Sequence, residues 1–348
     1  MGASVIIDLY WMIQVQDNTL SFNLEPTFRC NLGCEMCPRF SSEDPHLDMS
    51  MDTYSRINEA MGYAHTVDFT GWGEPMLHSQ IYHMIRAAKD KGCVISMTSN
   101  GTVLNRRNGL ALISAGMDRL TVSVDGMRPQ TFDAIRLGAS FEQITKNLKE
   151  LSQLIQEAGS SLELAVAFTI QQANASDLPL IVPWMNMVGT RVLHLKQLNV
   201  LSHFDDWERS FLKHGLASGN QDRGPMERLE KQIEGVLVQA NESGIEVRIH
   251  SELPMTGEMK GRHCLATPLE SVYFSYEGRV APCCHFGHHV SRYFESEFYP
   301  PSALFFGDIR EQTFREVWED DSFQTFRRGF VTQDFPDACK TCYLLYGK

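Results

Sequence analysis

The sequence predicts an α/β fold: a parallel sheet curled into a partial, TIM-like barrel of six βα units, followed by a small domain of β-hairpin and short helices. Three observations lead there. Between residues 19 and 200, short apolar runs alternate with longer amphipathic ones, the pattern of successive βαβ units. The runs number six, short of the eight that close a full barrel, so the sheet is expected to stay open. From Arg262 onward the character changes, with cysteines placed beside turn residues and little helical core.

Each element can be taken in order. Residues 1–18 form an N-terminal extension, "MGASVIIDLYWMIQVQD", which has no basic start and carries Asp8 inside its apolar stretch, unlike a signal peptide. The strand candidates are 20–25, 66–71, 94–99, 119–126, 162–170 and 191–199. Between them lie helical patterns such as "QIYHMIRAAKDKG" and "FEQITKNLKELSQLIQEAG". Two of the helical patterns close on a glycine just before the next strand, as a helix C-cap does. The barrel is thus assigned to 19–200. A connecting segment, 201–262, holds a polar loop (201–224), a helix (225–243) and a further strand (244–250). The last domain, 263–348, opens with "SVYFSYEGRVAPC", a hairpin turning at Glu277-Gly278.

Composition narrows the function. The chain of 348 residues carries 43 acidic and 31 basic side chains, a net charge of -12, and no Lys/Arg run. A protein that binds nucleic acid through its backbone is therefore not expected. No apolar run reaches the roughly 18 residues of a membrane span. Nine cysteines without an export signal are expected to stay reduced and free to bind metal, in a cytoplasmic protein.

The stretch "FRCNLGCEMCPRF" places Cys30, Cys34 and Cys37 in one loop after the first strand, with spacing C-x3-C-x2-C. That is the active face of a parallel barrel. Iron–sulfur cubes normally take four thiolates. Three of them hold three irons and leave the fourth open to a small molecule. A zinc site completed by a distant cysteine, or plain loop thiols, are the competing readings.

The loop resembles the signature of the radical S-adenosylmethionine (radical SAM) superfamily, whose fold is a partial (βα)6 barrel. The resemblance implies a [4Fe–4S] cluster on Cys30, Cys34 and Cys37, and S-adenosylmethionine chelated to the open iron. Met36 stands where the family usually has an aromatic residue; its backbone is then expected near the adenine. "GWGEP" resembles the family's Gly-Gly-Glu-Pro motif, which implies cofactor contacts from Gly71, Gly73, Glu74 and Pro75, with Trp72 replacing one glycine. By the same resemblance Ser99 and Asn100 of "TSNG", then Ser123 and Asp125, face the ribose and methionine portion. Arg136 is placed like the arginine that pairs with the methionine carboxylate.

The second cysteine group is Cys264, Cys283, Cys284, Cys339 and Cys342. The hairpin, the G-x4-C spacing and the later "CKTC" resemble the C-terminal SPASM domain or its shorter Twitch form. The resemblance implies one auxiliary [4Fe–4S] cluster, closed by Cys264, Cys283, Cys339 and Cys342. A zinc ribbon on the same thiolates is the alternative. Cys284 is a candidate hydrogen donor, and Cys93 reads as a buried small side chain.

Family chemistry implies a 5′-deoxyadenosyl radical that takes hydrogen from a small polar substrate, sugar- or cyclitol-like, with net two-electron oxidation through the auxiliary cluster. An epimerase and a peptide or protein maturase are the alternatives within the family. A zinc or iron–sulfur interaction protein is the non-enzyme alternative. Expected partners are a small-molecule or short-peptide substrate and a reductant such as flavodoxin or ferredoxin, with no nucleic acid and no membrane. Alternation puts Thr169 and Gln171 on one face of strand five. On strand six either His194 and Lys196 or Gln197 and Asn199 point inward. His203, Asp205, Asp206 and His214 of the 201–224 loop are further candidates for the barrel mouth.

Overall fold

A computed structural model of the chain describes residues 17–212, 224–250, 263–294 and 297–345. Nearly all of the N-terminal extension, and His214, lie outside the described residues. The strands are β1 (Leu20–Leu24), β2 (Ala64–Asp68), β3 (Val94–Ser99), β4 (Arg119–Ser123), β5 (Glu163–Ile170) and β6 (Val192–Gln197). They continue as β7 (Glu246–Ile249), β8 (Ser271–Phe274), β9 (Arg279–Ala281), β10 (Val290–Phe294), β11 (Glu297–Ser302) and β12 (Gly307–Asp308). Among the described residues one sheet runs β12-β9-β8-β1-β2-β3-β4-β5-β6-β7, with β10 and β11 as a separate hairpin.

The six expected strands lie side by side, parallel and in chain order. The sheet then extends beyond expectation at both edges. β7 pairs parallel with β6, and β8, the first strand of the C-terminal hairpin, pairs parallel with β1. β7 and β8 do not meet, so the barrel is open. The expected boundary near residue 263 is therefore crossed by a continuous sheet.

One face of each strand explains the stability. Phe22, Leu24, Val67, Ile95, Leu120, Val122, Val166, Phe168, Leu193 and Leu195 are all fully buried. They pack with the apolar stripes of the helices, such as Ile144, Leu148 and Leu151 of the helix Phe141–Glu157. Each such side chain contributes about 1.5–3 kcal/mol relative to exposure. The alternate residues are small or polar: Asn23, Asp68, Ser96, Thr98, Thr121, Ser123, Ala165, Ala167 and Thr169. A closed barrel fills that interior with branched aliphatic side chains. Here it is left polar.

Helix ends follow their residues. Ser50, Asn105 and Ser140 cap helices by accepting from the backbone amides of Thr53, Asn108 and Gln143. Gly116 closes the helix Arg106–Ala115 at φ +86°, the left-handed conformation expected of a C-cap glycine. Two expectations are corrected. The strand read at 66–71 ends at Asp68, because the Thr70 hydroxyl, not the backbone ladder, accepts from the Thr98 amide at 2.9 Å. The loop read at 201–224 contains a helix, Phe204–Arg209, because Asp206 reaches back to the His203 amide at 3.0 Å and caps it. Pro129 and Pro183 each sit in the first turn of a helix, where no amide partner is lost.

Candidate active site

The cysteine loop is held from two sides by backbone hydrogen bonds. Gly33 and Glu35 donate to the carbonyls of Leu137 and Ile135 at 2.8 and 3.1 Å, and the Glu74 amide donates to the Arg29 carbonyl at 2.8 Å. Buried Arg39 donates to the Leu32 carbonyl at 3.0 Å. These bonds fix the loop's backbone to the neighbouring loops. Cys30, Cys34 and Cys37 all line one cavity of about 290 Å3 at the C-terminal ends of the strands. Burial pushes the Cys34 thiol up to about 11 and raises Cys37 as well. Both are neutral thiols until a metal displaces the proton.

The expected cofactor residues form the other walls: Met36, Gly71, Gly73, Glu74, Ser99, Asn100, Ser123 and Arg136 all border this cavity. Pro75 is buried at the start of the turn Pro75–Leu77 and lies behind the wall. Gly73 is required by the chain's own packing. A Cβ there would stand 2.1 Å from the Thr27 carbonyl oxygen, where the "GWGEP" loop crosses the cysteine loop. Glu74 is fully buried. One carboxylate oxygen accepts from the Ser99 hydroxyl (2.8 Å) and the Met76 amide (3.1 Å), the other from the Asn100 amide (2.6 Å). It ties the second and third loops together, and burial raises its pKa. Asn100 donates to Asn31 at 2.9 Å and approaches the Cys30 sulfur at 3.8 Å.

Arg136 is the cation of the site. Its guanidinium donates to Asp125 at 2.7 Å, and Asp125 also accepts from the Thr169 amide at 2.7 Å. Asp125 is wholly buried and does not border the cavity, so it positions Arg136 instead of facing a cofactor. Arg136 lies close enough to Cys34 and Cys37 to counter the effect of burial on both. A thiol trio beside one anchored cation is a donor set that suits an iron–sulfur cube with an anionic ligand at its open corner. Among the described residues no three His, Cys, Asp or Glu side chains converge as for a single ion. A tetrahedral zinc site, with Zn–S near 2.3 Å, needs that tighter convergence.

In the C-terminal domain, Cys283 feels the charges of Cys284, Cys342, Cys264 and Cys339, and burial raises its thiol well above the ordinary range. Cys264 is pushed up to about 11, and Cys339 and Cys342 rise by the same cause. The Leu265 amide donates to the Leu344 carbonyl at 2.9 Å, fastening the hairpin cysteines to the "CKTC" turn. Four thiols therefore share one buried region. Cys284 stays in electrostatic reach of Cys283 and Cys342 and also lines the cavity of the first site, with burial raising it to about 12. Cys93 is buried with its thiol directed at the Ala64 carbonyl, a packing role.

The substrate-facing expectations divide. Thr169 borders the cavity; Gln171 does not, because β5 ends at Ile170 and a turn led by Asn174 accepts the Gln171 amide at 2.9 Å. On β6, Lys196 lies opposite Thr169 and in electrostatic reach of Asp68, Asp125, Cys284 and Arg136, so it points inward without bordering this cavity, while His194 stacks on His250 beside β7. Gln197 is buried on the other face. Asp206 is a buried helix cap accepting from Ser202. One constellation escaped the sequence reading. His288 stands 2.7 Å from Glu25 and 3.0 Å from Asp44, and stacks on Phe28 with ring centroids 4.3 Å apart. It latches the C-terminal domain onto β1 and the cysteine loop. Its partners lie more than two hundred residues away, so no local signal could reveal it.

Comparison with known proteins agrees with this geometry. The radical SAM superfamily model matches residues 24–165, and the model of the iron-sulfur cluster-binding domain SPASM matches residues 264–343. The chain belongs to the radical SAM superfamily and carries a C-terminal SPASM domain. It is an enzyme whose two domains imply a SAM-binding [4Fe–4S] cluster plus auxiliary iron–sulfur clusters. The chain is 25% identical over 327 residues to the tungsten-containing aldehyde ferredoxin oxidoreductase cofactor-modifying protein of Pyrococcus furiosus, covering 92% of this chain and 86% of that one. It is 23% identical over 348 residues to the AdoMet-dependent heme synthase of Nitratidesulfovibrio vulgaris, covering 91% and 83%. In fold it is similar to Streptococcus suis SuiB bound to S-adenosylmethionine, with TM-score 0.65, 15% identity, and coverage of 98% and 74%. No helix among the described residues is long and apolar enough to cross a membrane.

Proposed function

We propose that the protein is a radical SAM oxidoreductase: a small polar substrate inside the barrel loses a hydrogen atom, an electron and a proton, and leaves oxidised by two electrons. The observation that carries this reading is the position of Cys284. It borders the same cavity as Cys30, Cys34 and Cys37 and adjoins Cys283 in the tail, so the two thiol groups flank one chamber. We assign Cys30, Cys34 and Cys37 to the SAM-binding cluster and Cys264, Cys283, Cys339 and Cys342 to a single auxiliary cluster in residues 263–348. When bound, the first centre supplies a 5′-deoxyadenosyl radical and the second an acceptor for an electron. The chain's own groups do the rest. Arg136, fixed by Asp125, is the partner for the methionine carboxylate, and Glu74 keeps the adjoining loops in register. Asn23, Asp68, Ser96 and Thr98 give the barrel interior the polarity that a hydroxyl-bearing substrate needs.

Epimerisation is the second reading, favoured by one observation: the Cys284 thiol is held protonated beside the cavity and has a hydrogen to give. The relatives named above match over nearly the whole chain, which supports a substrate that is itself a cofactor or a cofactor precursor. A flavodoxin or ferredoxin is the expected reductant. Anaerobically reconstituted protein should be brown, hold about eight irons and eight sulfides, and form 5′-deoxyadenosine from S-adenosylmethionine under strong reductant. A product two mass units lighter supports oxidation, and solvent deuterium in the product supports epimerisation. No spectroscopic change on adding S-adenosylmethionine sinks both.

A further inference from the structure

We propose that the barrel interior contains a subsite for a carboxylate of the substrate, built around the Lys196 ammonium. This rests on the reading of the barrel as the substrate chamber. Lys196 is the penultimate residue of β6, opposite Thr169 of β5 in the parallel register, and Thr169 borders the cavity. Leu193 and Leu195 are fully buried in the outer layer, so the alternation turns Lys196 inward. Its charge reaches Asp68, Asp125, Cys284 and Arg136, which come from four separate parts of the chain.

The anions near it are already engaged. Asp125 holds Arg136 and the Thr169 amide, and Asp68 accepts from Asn23, Thr70 and Ser96 at 3.1, 2.8 and 3.0 Å. The Lys196 ammonium has no hydrogen bond or ion pair among the described residues. His194 and His250 stack beside it with ring centroids 4.7 Å apart and bring no negative charge. Lys196 is half-buried, and a cation partly withdrawn from water without a partner gains when an anion joins it. The ligand class follows from the surroundings. One compact ammonium with Asp68 nearby suits a monoanion, whereas a phosphate dianion meets repulsion from that carboxylate. The neighbouring β5 residues on this face, Ala167 and Thr169, are small, and Thr169 opens onto the cavity.

The test is ligand-observed NMR on anaerobic holoenzyme saturated with S-adenosylmethionine, so that Arg136 is already occupied. Glycolate is compared with glycolamide, butyrate with butyramide, and inorganic phosphate with both acids, at matched ionic strength. The wild-type protein should bind each acid about tenfold or more tightly than its amide. Lys196→Arg should keep that preference and Lys196→Met should lose it. Equal binding of acid and amide by the wild type, a preference that survives Lys196→Met, or tighter binding of phosphate overturns the assignment. Formation of 5′-deoxyadenosine by the same wild-type preparation is measured separately. Its absence tells against the radical chemistry and leaves the comparison of acid with amide to decide the subsite.

Discussion

The two cysteine groups share a residue type and differ in how they are built. Cys30, Cys34 and Cys37 fall in one short loop, fixed by backbone hydrogen bonds and open to a cavity that holds a paired guanidinium. The tail cysteines come from three separated stretches and are brought together only when the hairpin, the turn at 339–342 and the barrel edge have packed. An open site can be presented by local sequence, because it needs few ligands and a free corner. A closed one must be assembled by the tertiary fold, because its thiols come from distant stretches of chain.

The largest effect should come from breaking one member of each group. Cys34→Ala should abolish 5′-deoxyadenosine formation, while Cys283→Ala should retain it and lose the oxidised product. In each variant iron should fall from about eight to about four per chain, by colorimetric assay. If Cys283→Ala also stops cofactor cleavage with the first cluster intact, the two groups are not separable as drawn. Next is Arg136→Met, which strands the buried carboxylate of Asp125 and should cost about 3–5 kcal/mol in denaturant unfolding. Arg136→Lys should recover only part, since an ammonium lacks the planar fork.

The latch between the regions has a pH signature. Burial alone lowers His288, but Glu25 and Asp44 more than offset it and raise the imidazole to about 9. A folded pKa above the unfolded value near 6.5 means the contribution is complete below about 6.5 and is lost as pH rises through 9. The stability difference between wild type and His288→Gln should therefore shrink by roughly 3 kcal/mol across that window, read as urea midpoints. The smallest effect should be at Cys93, the cysteine outside both groups. Cys93→Ala should lose about 1 kcal/mol at most and leave iron content and cofactor cleavage unchanged.

The alternation of Leu20, Phe22 and Leu24, or of Leu193 and Leu195, was legible as strand pattern because one face of each strand is buried against helices. That most residues expected near the cofactor border one cavity was legible because they cluster at strand ends in short motifs. Register was not legible: choosing between His194/Lys196 and Gln197/Asn199 depends on where β5 and β6 pair. Gln171 was misplaced for a related reason, since a strand's last residue is set by the turn that follows it.

By itself, then, the sequence determined the order of βα units, the three-thiol loop and the chemical type of the second cysteine group. All of these rest on periodicity or on neighbours a few residues apart. Only the tertiary structure decided that β7 and β8 extend the sheet, that Cys284 faces the first cavity, that Glu74 and Asp125 are held by their own chain, and that His288 bridges the regions. Those outcomes depend on contacts between residues far apart in the chain, whose geometry is set by packing and by the pairing of buried polar groups.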